Sequence, residues 1–191
     1  GYYPNLIDIV LDSKGKTAFL EKVDGKAVVR YSVIVDEKKF LPPPLNSLEW
    51  HLSKADEVLP SLDSDSDEQL YLDLIEYLQG ISKLPSDDHY QFLALWVMHT
   101  FLWDKAQYTP TLLFYAVAAR GKTRTGKGLI YVCWRGVHVI TLREAHLIRL
   151  ASNMKATLFI DVTNLQKKME RESSEDILLS RFEKGIKVPR V

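Results

Sequence analysis

The sequence predicts an α/β core with a mostly parallel sheet, preceded by a small antiparallel β meander and a helical segment. Residues 110–191 alternate short apolar runs with amphipathic runs in the order strand, helix, strand, helix, strand, helix, strand. That order is typical of a sheet with right-handed crossover helices. The first strand is predicted in the continuous apolar run 111–118, which fits a strand buried on both faces. The chain is therefore expected to divide into a meander over 1–41, a Pro-rich and acidic linker over 42–66, a helical segment over 67–109 and the core over 110–191.

The first half of the chain carries hairpin and helix signals. Three β-prone runs lie between residues 5 and 35, and Asp24-Gly25 between the last two favours a hairpin. Three prolines at 42–44 can continue neither a helix nor a sheet, so they mark a boundary. Apolar residues at helical spacing predict helices over 67–79 and 86–104, and the aromatic residues of the second are expected in the core.

Charge is distributed unevenly along a chain of 191 residues whose net charge is zero. Residues 56–88 hold ten acidic side chains against one Lys, and residues 120–155 hold eight Lys and Arg against one Glu. This pattern predicts a basic face that meets phosphates beside an acidic, solvated helical region. The alternative is that both stretches are simply the outward faces of two helical regions.

Cysteine usage and hydropathy indicate a cytoplasmic protein. Cys133 is the single cysteine and cannot form an internal disulfide. No run approaches the ~20 apolar residues that a membrane span needs. The start, Gly-Tyr-Tyr-Pro, lacks the features of a signal peptide. Together with an apparent strand at the very end, KGIKVPRV, it predicts a segment of something longer, with a core that is incomplete at its C-terminus.

A candidate phosphate-binding loop occurs in AVAARGKTRTGKG, residues 116–128. The pattern G-x-x-x-x-G-K-[ST] wraps phosphates with backbone N–H groups, while its Lys reaches the outer phosphates and its hydroxyl holds Mg²⁺. One register has Ala116 in place of the first Gly and ends in Gly121-Lys122-Thr123. The other begins at Gly121 and reaches Gly126-Lys127, but has Gly128 in place of the hydroxyl.

The spacing to the next predicted strand, which starts at Val137, favours the first register. Lys122 precedes Val137 by 15 residues, enough for three helical turns and a short loop, whereas Lys127 precedes it by only 10. Ala116 then costs ~1–2 kcal/mol if its φ must be positive, and two glycines inside the helix cost about 1 kcal/mol each. The predicted anion site consists of Arg120, Gly121, Lys122, Thr123 and Arg124.

A carboxylate at the end of a neighbouring strand completes the prediction. In TLFID, four apolar residues are followed by Asp161, which we expect at the carboxyl edge of the sheet, where ligands bind. A magnesium nucleotide needs such an acid near the loop hydroxyl. Thr123 and Asp161 are therefore the predicted metal residues, and ATP and Mg²⁺ are the expected ligands.

With these motifs the sequence resembles the P-loop NTPases of the helicase-like kind found in archaeal viruses, plasmids and related integrated elements. The resemblance covers residues 110–191 and extends loosely to the helix before them. It implies an α/β P-loop NTPase core with a degenerate Walker A loop at Lys122 and Thr123 and a degenerate Walker B acid at Asp161. It also implies a DNA-handling protein.

Departures from the family pattern bear on catalysis. In hydrolytic members a Glu usually follows the acid and positions the attacking water, but here Val162, Thr163 and Asn164 follow. Asn164 could orient a water without accepting its proton. The sequence therefore predicts an ATP-binding module of ATPase origin with weak or no hydrolysis.

Two alternative functions remain open at this stage. The chain could be a non-catalytic P-loop scaffold that forms homo- or hetero-oligomers, or a nucleotide or sugar kinase. DNA is a candidate partner for the basic segment. A zinc site of Cys133, His138 and His146 is disfavoured, because a structural zinc site needs four ligands at paired spacing.

Overall fold

The computed structural model describes residues 3–62, 66–115, 117, 120–141 and 143–162. The chain divides into two compact units, residues 1–67 and residues 68–191, and each is considered by itself. Within the described ranges, no helix combines the length and the apolar character that crossing a membrane requires.

The first unit contains an antiparallel meander. Strands β1 (Leu6–Leu11), β2 (Thr17–Val23) and β3 (Lys26–Arg30) pair in that order. Asp24 and Gly25 both have positive φ, 49° and 82°, which a two-residue hairpin turn of the primed kind requires. The third predicted run does not continue as one strand, because a second hairpin follows, formed by β4 (Val33–Val35) and β5 (Lys38–Phe40).

A short helix, α1 (Ala55–Ser61), closes the core of this unit, and the sequence patterns did not predict it. The buried residues of the core are Val10, Ala18, Leu20 and Ala55. The chain between the hairpins and α1 is held to the meander, because Thr17 Oγ1 donates to Pro43 O at 2.8 Å and Leu11 N–H donates to Ser53 O at 2.9 Å. The proline segment therefore packs on its own unit.

The second unit is organised around helices. Its elements are α2 (Asp67–Ile81), α3 (Asp87–Phe101), α4 (Lys122–Tyr131), β6 (Gly136–Val139), α5 (Glu144–Ile148), a π-helical turn (Arg149–Asn153) and β7 (Thr157–Ile160). Helices α2, α3 and α4 share one core, in which Leu78, Ala94, Val97 and Leu129 are buried. Helix α2 continues to Ile81, two residues past the predicted end at 79.

The predicted α/β P-loop NTPase core with a mostly parallel sheet is wrong. Among the described residues the parallel sheet has two strands, β6 and β7, paired from Gly136↔Thr157 to Val139↔Ile160. The last predicted helix and strand, after residue 173, lie outside the described residues. The architecture that is described is an antiparallel meander, a set of helices and this one parallel pair.

The missing strand explains the error. The run at 111–118 was expected to be a strand buried on both faces, yet its described residues 111–115 and 117 belong to no strand. Leu112 and Phe114 pack against the helical core, while Leu113 and Tyr115 are 81 % and 94 % exposed. A continuous apolar run was interpreted as doubly buried, but only alternate residues of this one face the core.

Helix α4 runs antiparallel to β6 and packs on the parallel pair. A Cβ on Gly136, at the start of β6, would lie 1.8 Å from Ile130 O, near the end of α4. A Cβ on Gly126 would lie 2.2 Å from the ring of Phe159 in β7. The two glycines therefore allow the helix backbone to approach the sheet more closely than any larger residue would.

This packing predicts a destabilised Gly126→Ala variant. Alanine adds about 1 kcal/mol of helix propensity, but its methyl group must displace the Phe159 ring, and overpacking costs about 1–3 kcal/mol. We expect the free energy of unfolding, measured by chemical denaturation, to fall by up to about 2 kcal/mol.

Gly80→Ala is the matched control, because Gly80 is also helical and nothing lies within 4 Å of its added Cβ. Its stability should be unchanged or raised by up to about 1 kcal/mol. A Gly126→Ala variant as stable as Gly80→Ala would contradict the close helix–sheet contact.

Candidate functional site

Helix α4 begins at Lys122, where the first register of the loop motif places the helix start. Gly121 is its N-cap and has a left-handed backbone, with φ 80° and ψ 10°. A residue with a Cβ would be strained there, which accounts for glycine at this position. The first N–H groups of α4 have no partner within the helix, and the helix dipole adds partial positive charge, so this end favours anions.

The predicted anion-site side chains surround this helix start. Arg120, Thr123 and Arg124 are exposed. Lys122 is half-buried, and its Nζ donates a hydrogen bond to Val117 O at 3.0 Å, so the ammonium lies over its own loop. The structure thus brings the five predicted residues together at one helix end, with no acidic residue between positions 120 and 141.

Asp161 lies at the same end of the α4–β7 layer as Lys122. The contact between Gly126 and Phe159 provides a common reference point. Lys122 is four residues from Gly126, about 6 Å along the helix axis. Asp161 is two residues from Phe159, about 6.6 Å along the strand in the same direction, because helix and strand are antiparallel. Two residues along a strand also return to the same face, so Asp161 shares the face of Phe159 that meets α4.

His138 lies beside Asp161 on the neighbouring strand. Its ring stacks on Phe159 with centroids 5.1 Å apart and an angle of 22° between the planes. Its Nε2 is 3.7 Å from Asp161 Oδ2, an ion pair when the imidazole is protonated. The backbone N–H of Asp161 donates to Val139 O at 3.0 Å, which extends the ladder past the end of β7. The backbone of Asp161 is therefore fixed by the sheet ladder, and its carboxylate lies beside the His138 ring.

Helix α2 supports α4 from the other side. Tyr77 OH donates to Gly128 O at 2.9 Å, and a Cβ on Gly128 would lie 2.2 Å from the side chain of Ile81. Nearer the helix start, Ser82 Oγ lies 2.6 Å from Thr125 Oγ1. Gly126 and Gly128, which the second register assigned to a phosphate loop, are thus packing positions inside α4.

Part of the predicted basic segment has a structural role instead. Arg135 is 6 % exposed, its guanidinium stacks on Trp134 at 4.7 Å, and its Nη1 donates to Met154 O at 2.8 Å. Lys155 Nζ lies 5.9 Å from the ring centre of Trp103. Arg135 lies four residues beyond the end of α4 at Tyr131. The exposed cations of the segment are divided between α4 and the chain beyond it: Arg120, Arg124 and Lys127 on one side, Arg143, Arg149 and Lys155 on the other.

The sequence did not identify three residues that shape this site, namely Ser82, Thr125 and Phe159. Phe159 appeared only as one apolar residue of a predicted buried strand. One signal pointed to it: a glycine inside a helix is costly, so Gly126 needs a reason such as a bulky neighbour. The hydroxyl of Ser82 is 43 positions from its partner, and no pattern in the sequence indicated that pairing.

Cys133 does not supply a reactive group. It is 7 % exposed, and its thiol donates to Leu129 O at 3.2 Å. Burial raises the pKa of the Cys133 thiol to about 12, and a hydrogen bond with Thr100 offsets part of that rise. Across the part of the chain that the structure describes, no three His, Cys, Asp or Glu side chains converge as metal ligands. The metal site predicted from the sequence, Thr123 and Asp161, stays a prediction.

The raised pKa predicts slow alkylation of Cys133 in the native protein. At about pH 8, an ordinary thiol is about 10 % thiolate, whereas one with a pKa of about 12 is about 0.01 % thiolate. Iodoacetamide should modify the folded chain at least about 100-fold more slowly than the denatured chain. Equal rates, followed by mass spectrometry, would show that the thiol is accessible and ionised.

No protein-family model matches the sequence, and searches of curated proteins and of solved structures found no similar protein. No relative therefore supplies a role for any residue. The functional interpretation rests on the geometry at the start of α4.

Proposed function

We propose that this chain binds the phosphates of a magnesium nucleotide, with ATP as the expected ligand, at the start of α4. It would act as an ATP-binding module of ATPase origin in a cytoplasmic, DNA-handling, helicase-like protein. The observation that supports this most is the contact of Gly126 in α4 with Phe159 in β7, from which we deduce that Lys122 and Asp161 lie at one end of that layer. The proposal does not depend on a larger parallel sheet.

The electrostatics of the helix start favour a polyphosphate. Three cations, Arg120, Lys122 and Arg124, fall within the first turn of α4 and the residue before its cap. N–H groups at the helix end donate to phosphate oxygens, and a lysine adds a mobile point charge. Exchange of the Val117 carbonyl for a phosphate oxygen would keep the Lys122 ammonium hydrogen-bonded.

The acid and the hydroxyl fit a divalent cation that is bound mainly by phosphate. Mg²⁺ keeps several waters and commonly takes only one or two protein oxygens beside those of the nucleotide. Thr123 is exposed in the first turn of α4, and Asp161 is partly exposed at the level of Lys122. These two residues would hold the metal of a magnesium nucleotide, and the metal would neutralise phosphate charge.

Binding is proposed in preference to efficient hydrolysis. Val162 follows Asp161 and is a half-buried apolar residue, so it cannot activate a water molecule. His138 lies 3.7 Å from Asp161, and its ring is engaged in stacking on Phe159. The expected activity is nucleotide binding with slow or no turnover.

Lys122→Ala should weaken binding of magnesium ATP at least about 10-fold, because a charge-assisted hydrogen bond to phosphate contributes about 1.5–3 kcal/mol. Isothermal titration calorimetry of the full chain measures this directly. Lys127→Ala removes the same charge from an exposed position further along α4 and should change affinity by less than about 2-fold. Equal losses in both variants would indicate a nonspecific charge effect, and unchanged binding by Lys122→Ala would refute the assignment.

A protein-interaction scaffold is the second candidate, and one observation favours it. The outward side chains Leu113, Tyr115 and Val117 are exposed, and the sequence holds no charged residue from 106 to 119. An uncharged apolar row of this kind is typical of surfaces that bind another chain. Absence of nucleotide binding by the wild type, together with a stable oligomer on sizing chromatography, would support this candidate instead.

A further inference from the structure

The start of α4 is tied to the end of α2 by a chain of two hydroxyl groups. Thr125 Oγ1 donates to Gly121 O at 3.1 Å, and Thr125 N–H donates to the same oxygen at 2.9 Å. A hydroxyl has one proton to donate, so the 2.6 Å contact between Ser82 and Thr125 must have Ser82 Oγ as the donor. The order of donation is Ser82 to Thr125 to Gly121.

Both residues of this pair of hydroxyl groups are held in place. Thr125 is 5 % exposed. The backbone of Ser82 is held twice, because its N–H donates to Leu78 O at 3.2 Å and its carbonyl accepts from Tyr90 OH at 3.0 Å. Tyr90 OH in turn accepts from Leu84 N–H at 2.9 Å. The Ser82 hydroxyl therefore projects from a fixed point between α2 and α3.

The position of the Gly121 oxygen determines where the next N–H points. The peptide between Gly121 and Lys122 is trans, so its carbonyl and its N–H point in opposite directions. With the carbonyl directed into the helix toward Thr125, the N–H of Lys122 is directed out of the helix start. A flipped peptide would present an oxygen there instead, and that oxygen would repel phosphate. Glycine at 121 permits such a flip more readily than other residues, because it adopts both signs of φ.

We propose that Ser82 and Thr125 are positioning residues that hold the Gly121–Lys122 peptide with its N–H toward the bound phosphate. This inference rests on the proposed function. Neither residue touches the nucleotide. They act through the Gly121 carbonyl, and α2 thereby determines how well α4 binds.

Thr125→Val tests the inference, since valine keeps the shape of the side chain and removes its hydroxyl. Loss of a neutral hydrogen bond predicts magnesium ATP affinity about 3–10-fold weaker. Thr125→Ser keeps the hydroxyl and should remain within about 2-fold of the wild type, and Ser82→Ala should weaken binding in the same direction as valine. Amide exchange at Thr125 should be faster in Thr125→Val and Ser82→Ala, because its N–H donates to the Gly121 carbonyl and loses that acceptor when the peptide flips.

Tyr77→Phe is the matched control, because it removes a hydrogen bond between α2 and α4 at the far end of the helix. It should lower stability to a similar degree and leave affinity unchanged. If the wild type and Tyr77→Phe bind ATP and Thr125→Val binds equally well, the positioning role is refuted while the proposed function stands. If the wild type binds no nucleotide, both are refuted.

Discussion

The packing of α4 on the two-stranded sheet depends on one contact, the ring of Phe159 lying against bare helix backbone at Gly126. Because no side chain separates them, α4 lies close to the two-stranded sheet. The positions of Lys122 and Asp161 relative to each other are deduced from this contact. The ring in turn stacks on His138, which lies beside Asp161. One aromatic residue thus connects the helix, both strands and the carboxylate of the candidate site.

The sheet is too small to hold α4 by itself, so the helices contribute the remaining support. Two parallel strands bury little apolar surface, whereas α2, α3 and α4 share a cluster in which Leu78 and Val97 are each 1 % exposed. Polar contacts add direction to this burial: Tyr77 meets α4 near its end, and Ser82 meets it near its start. In the predicted architecture a parallel sheet would support the phosphate-binding loop, whereas here the core shared by α2, α3 and α4 supports the start of α4.

Local chemistry was predictable from the sequence, and tertiary burial was not. The hairpin at Asp24-Gly25 and the helix start at Lys122 follow from backbone preferences that a few neighbouring residues determine. The run from Thr111 could not be assigned in that way, since its apolar residues fit a buried strand and equally fit an extended segment with one face on a helical core.

The sequence placed Asp161 after an apolar strand, but its relation to Lys122 depends on the contact between Gly126 and Phe159, which are 33 positions apart in the sequence. Charge counts failed similarly for Arg135, because a cation–π contact and a carbonyl partner place that guanidinium inside the protein.

The hydrogen bond from Lys122 to the carbonyl of Val117 has a consequence for how a ligand would enter. In the free chain the Lys122 ammonium donates to the Val117 carbonyl, so a phosphate would compete with that oxygen for the ammonium. Binding would then be an exchange of acceptors at nearly constant hydrogen-bond number, with little net enthalpy from this lysine and most of its contribution from charge. In the free chain the bond from Lys122 to Val117 would therefore oppose ligand binding. A change that broke this bond would raise the affinity for the ligand without adding any contact to the ligand.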